Sequence, residues 1–470
     1  MKIRLLKITK IIIFFLILII ALLVRKRKYA EIPIPGQSVD EYSYAWVGLS
    51  LIESGMPIGI SGIDGYKNRL PRYINVDRFF QTVSSGDPLI INYPWMDHPP
   101  LLGLITGGFA FLNGTRVFED ATSYVIRKPI IVISTLSVAL LMIFCWINFG
   151  FLSAVIGGLI YSTTPLVVLS SRMIQAENGI IPCFLACMIC ISLYMRSKKD
   201  VWLILAGFSA GVASLFKLTG FTCHLFVLLA LLNNSKRNGK LFLKDFIFFL
   251  AISLPISFLF VIYGSVYGIN NFIQIFFSNY NRFYGIGPNS IIELIRNQRL
   301  TQHKYLPEIS IISGWLVFFG YVFNKEKNRY VNLVILGNFS YLIIYIFFGS
   351  QPYGWYSFPF WPLLSILLSV FISDGLSKNK NIIAVFFSLI LIFGTNISRL
   401  IGIFDFQPYA NIWRFSISVL FFILVSKLNN KKYINFASKL LLVLILMAII
   451  YTNISYLNMI NIDYWWQNIS

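Results

Sequence analysis

The chain has 470 residues, of which 57% are hydrophobic and only 12% charged, and its mean hydropathy is +0.72. A soluble domain has roughly 45–50% apolar and about 25% charged residues, so this composition excludes an ordinary soluble fold. The net charge of +20 indicates basic loops beside anionic lipid. A nucleic-acid partner is disfavoured, because the sequence contains no separate basic domain.

The first apolar run, residues 8–24, resembles a secretory signal peptide, but no small-residue cleavage site follows it. We therefore predict a retained helix. Similar runs recur along the chain and predict an all-α polytopic membrane protein, a single domain of about thirteen transmembrane helices. The predicted spans are 8–24, 129–148, 151–169, 179–195, 201–216, 218–233, 245–264, 309–323, 331–348, 358–373, 381–399, 412–427 and 437–455, with 99–112 as a further candidate.

Basic clusters between the runs orient these helices, because cytoplasmic loops are enriched in lysine and arginine. The loops 25–98 and 265–308 then lie on the extracytoplasmic side, while the role of the C-terminal helices in 371–470 stays open. Two features do not fit this topology. The basic residues 25–28 would lie outside, and a complete crossing by 99–112 would invert every later helix. The clusters that fall on the cytoplasmic side are 196–199, 233–240, 324–329, 377–380 and 427–432.

The first loop is far longer than an ordinary helix connection. Loops of this length are more often functional than simple connections between helices. Its residues 39–58, VDEYSYAWVGLSLIESGMPI, predict a short amphipathic helix at the membrane interface. Asp40 and Glu41 stand at the beginning of this helix, where the N-terminus favours carboxylates. From the residues alone, the acidic pair is most simply a helix cap.

The same loop ends in WMDHPPLLG, residues 95–103. Pro99 and Pro100 have no backbone donors, so they can begin a helix rigidly and fix Asp97 and His98 at the lipid–water boundary. Carboxylate and imidazole both ligate divalent ions, so a metal site at Asp97 and His98 is one interpretation. A solvated interfacial histidine is the other.

Together, these motifs resemble the GT-C membrane glycosyltransferases, in particular the group of protein O-mannosyltransferases and lipid A aminoarabinose transferases. The resemblance covers residues 1 to about 370. The matching positions in the first loop and at the start of the following helix are Asp40, Glu41, Tyr44, Ser54, Gly55, Asp97, His98, Pro99, Pro100 and Leu101. Similar downstream segments are SSRMIQAENGIIP (170–182), SLFKLTG (214–220), NYNRFYG (279–285) and YGWYSFPFWPLLS (353–365).

The resemblance implies a polyprenyl-phosphate sugar as donor and inversion at the anomeric carbon. The acceptor would be a hydroxyl (or phosphate) of a lipid, a protein or a polysaccharide at the extracytoplasmic face. The composition, rich in isoleucine, asparagine and lysine, favours a bacterial plasma (inner) membrane as the location.

The resemblance also implies roles for individual residues. Asp40 would be the general base, Glu41 would orient it or cap the helix, and Glu177 would face the active site. His98 stands where the family often has a phosphate-binding lysine, but histidine carries a full charge only when protonated. Independently of the resemblance, the metal interpretation of Asp97 and His98 makes a divalent ion a candidate cofactor.

Further cations and aromatic residues are candidates for the donor phosphate. Arg282, Arg299 and Lys304 lie in the second large loop, and Tyr356 would line the donor site. Ordinary headgroup contact and an interfacial aromatic belt explain them equally well. Lys217 lies within apolar sequence, where a lysine is either functional or snorkels from a helix end.

Two other functional classes compete with the enzyme. A transporter or flippase of a lipid-linked sugar would explain the helices and the basic lipid contacts. It would not explain acidic residues concentrated in one external loop, and no internal repeat is visible. A scaffolding protein would not need the acidic pair. The five cysteines all fall in predicted spans and are most simply buried small residues.

Overall fold

The computed structural model describes residues 2–38, 40–77, 88–234, 238–281, 289–296, 298–324, 328–348, 353–378, 381–401 and 432–469, with a few residues between 411 and 421. Helices dominate this part of the chain. Numbered α1 to α19, they are Lys2–Lys26, Asp40–Ser54, Leu101–Leu112, Ser123–Ile126, Lys128–Phe149, Phe151–Thr163, Pro165–Ser170, Ala176–Ser197, Asp200–Phe216, Thr222–Asn234, Gly239–Val266, Ile269–Tyr280, Asn289–Arg296, Ile309–Phe323, Arg329–Phe348, Phe360–Lys378, Ile382–Ile401, Lys432–Met459 and Ile462–Asn468.

Within the described residues, eight helical segments are long and apolar enough to cross a membrane, which confirms the predicted polytopic class. Five shorter apolar helices accompany them in the same part of the chain. The predicted count of thirteen spans stays a prediction, since the span 412–427 falls largely outside the described residues. The eight segments are Lys7–Lys26, Ser123–Phe149, Ala176–Ser197, Gly239–Val266, Arg329–Phe347, Gly354–Lys378, Ile382–Leu400 and Asn435–Met459.

Helix α3 answers the question of topology raised by 99–112. It has 12 residues and is therefore about 18 Å long, well short of a hydrocarbon core of about 30 Å. It ends in Asn113 and is followed by a short 3₁₀ turn, Phe118–Asp120, before the next spanning segment begins. A helix of this length does not cross the membrane alone, so it leaves the predicted orientation of the later helices unchanged.

The first large loop folds into helix α2 and a small antiparallel sheet. The strands are β1 (Gly59–Ile60), β2 (Asn68–Arg72) and β3 (Leu89–Tyr93), in the order β1-β3-β2. Gly59 pairs with Asn92, and Arg69 pairs with the same residue from the other side. The central strand β3 therefore leads directly into residues 95–98 and fixes where they lie.

Helix α2 differs from the predicted amphipathic surface helix, because Glu41 to Ser50 are all buried. It packs against α3 through glycines at backbone contact. A Cβ atom on Gly48 would lie 1.8 Å from the Gly103 carbonyl oxygen, and one on Gly107 would lie 2.3 Å from the Leu49 nitrogen. Small residues spaced four apart allow helices to approach this closely.

Arg25 and Lys28, two members of the basic cluster 25–28, have structural roles that account for their place outside the predicted cytoplasmic loops. Arg25 is fully buried and donates to the carbonyl oxygens of Tyr161 and Ser162. Lys28 donates to the carbonyl oxygen of Ile460, and Arg172 donates back to that of Arg25. These cations satisfy backbone acceptors left over at helix ends. Arg25 and Lys28 are therefore bound within the protein, whereas Lys26 and Arg27 between them are exposed.

Candidate active site

A cavity of about 580 Å³ opens where the two large loops meet the helix ends. Its lining comes from both loops, from two helix connections and from the C-terminal segment, all of which the charge pattern predicts on one side of the membrane. The lining residues fall in 36–44, 60–62, 95–98, 302–303 and 353–356, with Lys217, Asn279 and Trp466. The two large loops therefore line one cavity, and their location on the extracytoplasmic face stays a prediction.

Asp40 is the first residue of α2 and lines the cavity, where it is half-buried. The N-terminus of the helix favours a carboxylate at this position. Asp40 lies within electrostatic range of Lys217 and Tyr44, which also line the cavity. The residue predicted as base is thus accessible from the cavity and close to a cation.

Glu41, its neighbour in sequence, serves a different contact. Its carboxylate is buried and accepts two hydrogen bonds from Arg127, 2.6 Å from Nε and 2.7 Å from Nη2. The backbone nitrogen of Ile174 donates to the same carboxylate at 3.2 Å. Arg127 also donates to the Tyr29 and Pro33 carbonyl oxygens. Glu41 is not among the cavity-lining residues and instead fixes α2 to the helices behind it.

Glu177 and Lys217 form a buried ion pair beside the cavity. The Lys217 Nζ lies 2.7 Å from Glu177 Oε1 and 3.9 Å from the centroid of the Tyr356 ring. Glu177 is fully buried, and its Oε2 has no hydrogen-bond partner among the described residues. Lys217 and Tyr356 line the cavity, whereas Glu177 stands behind Lys217. Lys217 is therefore held in a buried ion pair and does not snorkel to the membrane surface, while its function stays a prediction.

Asp97 and His98 form the wall of the cavity that follows β3. The Tyr66 hydroxyl donates to Asp97 Oδ1 at 2.5 Å, and Asn279 donates to the Asp97 carbonyl oxygen at 2.9 Å. Burial and the nearby Asp97 carboxylate raise the pKa of Tyr66 well above its usual value, so its hydroxyl stays a donor. The His98 ring stacks on Tyr44, with centroids 6.0 Å apart.

The predicted metal ligands gain no further protein ligand from the part of the chain that is described. No group of three or more His, Cys, Asp or Glu residues within the described ranges is arranged to hold a metal ion. Metal binding at Asp97 and His98 therefore stays a prediction, and stacking on Tyr44 gives His98 a structural role without a metal.

Two of the other predicted phosphate-binding cations, Arg299 and Lys304, do not line the cavity. Arg299 packs over the Tyr305 ring at 4.8 Å, and Lys304 donates to the Ile469 carbonyl oxygen at 2.6 Å. The third, Arg282, lies outside the described residues. Among the lysines and arginines of the described ranges, Lys217 is the one that lines the cavity.

No sequence pattern marks Trp466 or Asn279 as site residues, although the structure brings both to the cavity. Trp466 lines it from the C-terminal segment, and Asn279 lines it from the end of α12. Tyr66, which orients Asp97, is likewise not marked by any pattern in the sequence. Each is one of many similar residues in the chain, and only its place in the fold marks it.

Comparison with known proteins identifies the fold. Residues 97–263 match the family described as dolichyl-phosphate-mannose-protein mannosyltransferase. The structure is similar to that of ArnT from Cupriavidus metallidurans bound to undecaprenyl phosphate, with a TM-score of 0.57 and 14% identity over 95% of this chain and 76% of that one. The apo crystal structure of the same ArnT gives a TM-score of 0.56, also at 14% identity, 95% and 76% coverage.

The cryo-EM structure of the arabinosyltransferase EmbB from Mycobacterium smegmatis is also similar, with a TM-score of 0.50 and 11% identity over 95% of this chain and 40% of that one. No curated protein matches the chain in sequence. The chain therefore has the GT-C fold, and the resemblance predicted from its first-loop motifs is confirmed.

Proposed function

We propose that this multi-span membrane protein with the GT-C fold is an inverting glycosyltransferase that moves a sugar from a polyprenyl phosphate to an acceptor hydroxyl or phosphate. The observation that carries the proposal is one cavity that is lined both by a carboxylate, Asp40, and by a buried lysine, Lys217. Attack on an anomeric carbon needs a base on the acceptor side, and departure of a phosphate needs a cation.

In the proposed reaction, the acceptor oxygen attacks the anomeric carbon while Asp40 accepts its proton. The bond between the anomeric carbon and the phosphate oxygen breaks, and its electrons leave with the polyprenyl phosphate. That phosphate needs no proton as a leaving group. The new glycosidic bond forms on the face opposite the one that is broken, so the configuration inverts.

Lys217 would hold the departing phosphate. Its ammonium group has three donors, of which one points to Glu177 and others remain for phosphate oxygens. Glu177 keeps Lys217 charged in a buried place and fixes its direction, because a buried cation without a partner is costly. The undecaprenyl phosphate bound to the similar ArnT supports a lipid phosphate as the ligand here.

We place the reaction at the extracytoplasmic face of the plasma (inner) membrane, since the positive-inside pattern puts the cavity there. Soluble nucleotide sugars are confined to the cytoplasm, which favours a lipid-linked donor. The bilayer, the polyprenyl phosphate and an acceptor molecule are the partners that this mechanism needs.

Lipid binding tests the role of Lys217. The purified chain in nanodiscs should bind polyprenyl phosphate, as measured by native mass spectrometry. The Lys217→Met, Glu177→Gln double variant removes both charges of the buried pair, so neither is left uncompensated. It should bind at least about tenfold more weakly, because charge-assisted hydrogen bonds to phosphate contribute about 1.5–3 kcal/mol each.

The Lys378→Met, Asp374→Asn double variant is the matched control, since it removes both charges of an exposed ion pair that does not line the cavity, and it should retain binding. Equal binding by all three proteins would remove Lys217 from the donor site. Sugar transfer directly from a nucleotide sugar, in the absence of any lipid carrier, would refute the lipid-linked donor.

A further inference from the structure

The C-terminal segment is bound firmly to the mouth of the cavity. Asn461 caps α19, its side chain accepting a hydrogen bond from the Tyr464 nitrogen at 2.7 Å. Trp465 is fully buried and anchors the helix. At the far end, Lys304 donates to the Ile469 carbonyl oxygen at 2.6 Å. The segment is therefore held at both ends and in the middle.

This anchoring leaves Trp466 at the cavity. Its side chain lines the cavity and is 50% exposed, in contrast to Trp465 beside it. The Lys304 Nζ lies 5.3 Å from the centroid of the Trp466 ring, and the exposed part of the indole offers a large, rigid apolar surface at the mouth of the cavity. Because Trp465 already anchors α19, the exposure of Trp466 is not needed to hold the segment.

The cavity has a buried part and a water-exposed part. Lys217 is 5% exposed and Asp97 is 9% exposed, so the charged residues lie at depth. Gln302 and His303 line the same cavity beside the C-terminal segment and are exposed. A donor phosphate fits the buried cation, and the exposed part is where a molecule arriving from water would enter.

The chemistry of the exposed part fits a sugar ring. One face of a pyranose presents C–H groups that pack on an aromatic face, while its hydroxyls project from the edge. The Gln302 amide can both donate and accept hydrogen bonds, as a hydroxyl requires, and the ring nitrogens of His303 and the Lys304 ammonium beside Trp466 can also bond hydroxyls. An aromatic face with several hydrogen-bonding side chains beside it is thus matched to a carbohydrate ring.

We propose that the acceptor is a carbohydrate, and that one of its sugar rings stacks on Trp466 in the exposed part of the cavity. This inference rests on the proposed function and narrows it. Of the acceptors implied by the family resemblance, it favours the glycan of a polysaccharide or glycolipid over a protein side chain.

The test uses the full chain in nanodiscs and saturation-transfer NMR, with methyl glycosides of glucose, galactose, mannose and N-acetylglucosamine as probes. At least one glycoside should receive saturation from the protein, with polyprenyl phosphate present at saturating concentration. Trp466→Ala should weaken that binding at least about tenfold, and Trp466→Phe should change it by less than about threefold, because the aromatic face is kept.

Polyprenyl phosphate binding is measured on the same samples and should be unchanged in both variants, which shows that they are folded and that the donor site is intact. Failure of polyprenyl phosphate to bind the wild type would count against the proposed function. Normal lipid binding without glycoside binding, or glycoside binding that ignores Trp466→Ala, would overturn only the present inference.

Two further outcomes would also overturn it. A serine- and threonine-containing peptide that binds in place of the glycosides, and loses binding in Trp466→Ala, would assign a protein acceptor. If Trp466→Ala weakens binding of polyprenyl-phosphate glucose or mannose but not of bare polyprenyl phosphate, Trp466 contacts the donor sugar instead.

Discussion

Two neighbouring carboxylates, Asp40 and Glu41, face different surroundings although one peptide bond separates them. Asp40 is half-buried at the cavity, while Glu41 is buried against Arg127. The helix beginning at Asp40 turns the second side chain away from the first, so one residue is available for chemistry and the other for packing. The family resemblance implies Asp40 as the base and Glu41 as a residue that orients it or caps the helix, whereas the contact between Glu41 and Arg127 follows only from the fold.

Asp40→Asn should abolish sugar transfer while leaving polyprenyl phosphate binding unchanged. The substitution keeps the shape of the side chain and removes its ability to accept a proton, and base catalysis typically contributes about 10²–10⁴-fold. Turnover with a polyprenyl-phosphate sugar measures the effect. Asp64→Asn is the control, because Asp64 lies in the same loop with its side chain 97% exposed. Near-normal turnover in Asp40→Asn would show that the base lies elsewhere.

Glu41→Gln should act through stability. The change leaves Arg127 buried without a carboxylate, and breaking one partner of a buried ion pair costs about 3–5 kcal/mol. The thermal transition in detergent should fall clearly, and the protein that remains folded should keep much of its turnover. A Glu41→Gln protein of unchanged stability but no activity would place Glu41 in the chemistry instead.

At the scale of elements, the position of Asp40 depends on how closely α2 packs on α3. Gly107 and Gly108 are adjacent on α3 and provide a matched pair. A Cβ atom on Gly107 would meet backbone atoms of Leu49 and Ala45 at 2.3 and 2.4 Å, whereas one on Gly108 would meet only the flexible end of Ile52 at 3.3 Å.

Gly107→Ala should therefore destabilise the protein by about 1–3 kcal/mol, because the backbones must separate. Gly108→Ala should be close to neutral. Alanine favours a helix by about 1 kcal/mol over glycine, and this gain offsets the tight contact of the new Cβ atom with Ile52. Thermal unfolding of the two variants measures the difference, and polyprenyl phosphate binding should weaken in Gly107→Ala alone. Equal stability of both variants would show that α2 and α3 are not in backbone contact.

Much of this arrangement could be predicted from the sequence, for stated reasons. Apolar runs give the spanning helices because every backbone group must be satisfied inside the bilayer. The start of α3 follows from Pro99 and Pro100, and the acidic pair marks the start of α2. The burial of α2 was missed, because its pattern fits an amphipathic helix as long as its neighbours are unknown.

Contacts between distant residues could not be predicted in the same way. Glu177 and Lys217 are 40 residues apart, and Glu41 and Arg127 are 86 residues apart. No local pattern pairs them, since any buried lysine or arginine would satisfy a single-sequence argument. The place of Trp466 depends on Lys304 and on the burial of Trp465, both of which follow only from the folded chain.

At the scale of the whole molecule, the GT-C fold gathers loop and helix ends from the entire length into one cavity. Residues as distant as Gly36 and Trp466 line it. Arg25 and Lys28 stabilise this face, because they donate hydrogen bonds to carbonyl oxygens at the ends of other helices. The membrane helices thus provide a rigid frame, and the first loop supplies the candidate base.

The most direct test of the proposed function is the fate of a labelled sugar on its lipid carrier. Reconstituted wild-type protein would be given polyprenyl phosphate carrying a radiolabelled sugar, together with cell-envelope glycans as acceptor. We predict that the label appears in a new glycosidic product of inverted configuration, with one polyprenyl phosphate released for each sugar transferred. Label that crosses the bilayer while still attached to its carrier, with no new glycosidic product, would contradict the transferase and establish a flippase in its place.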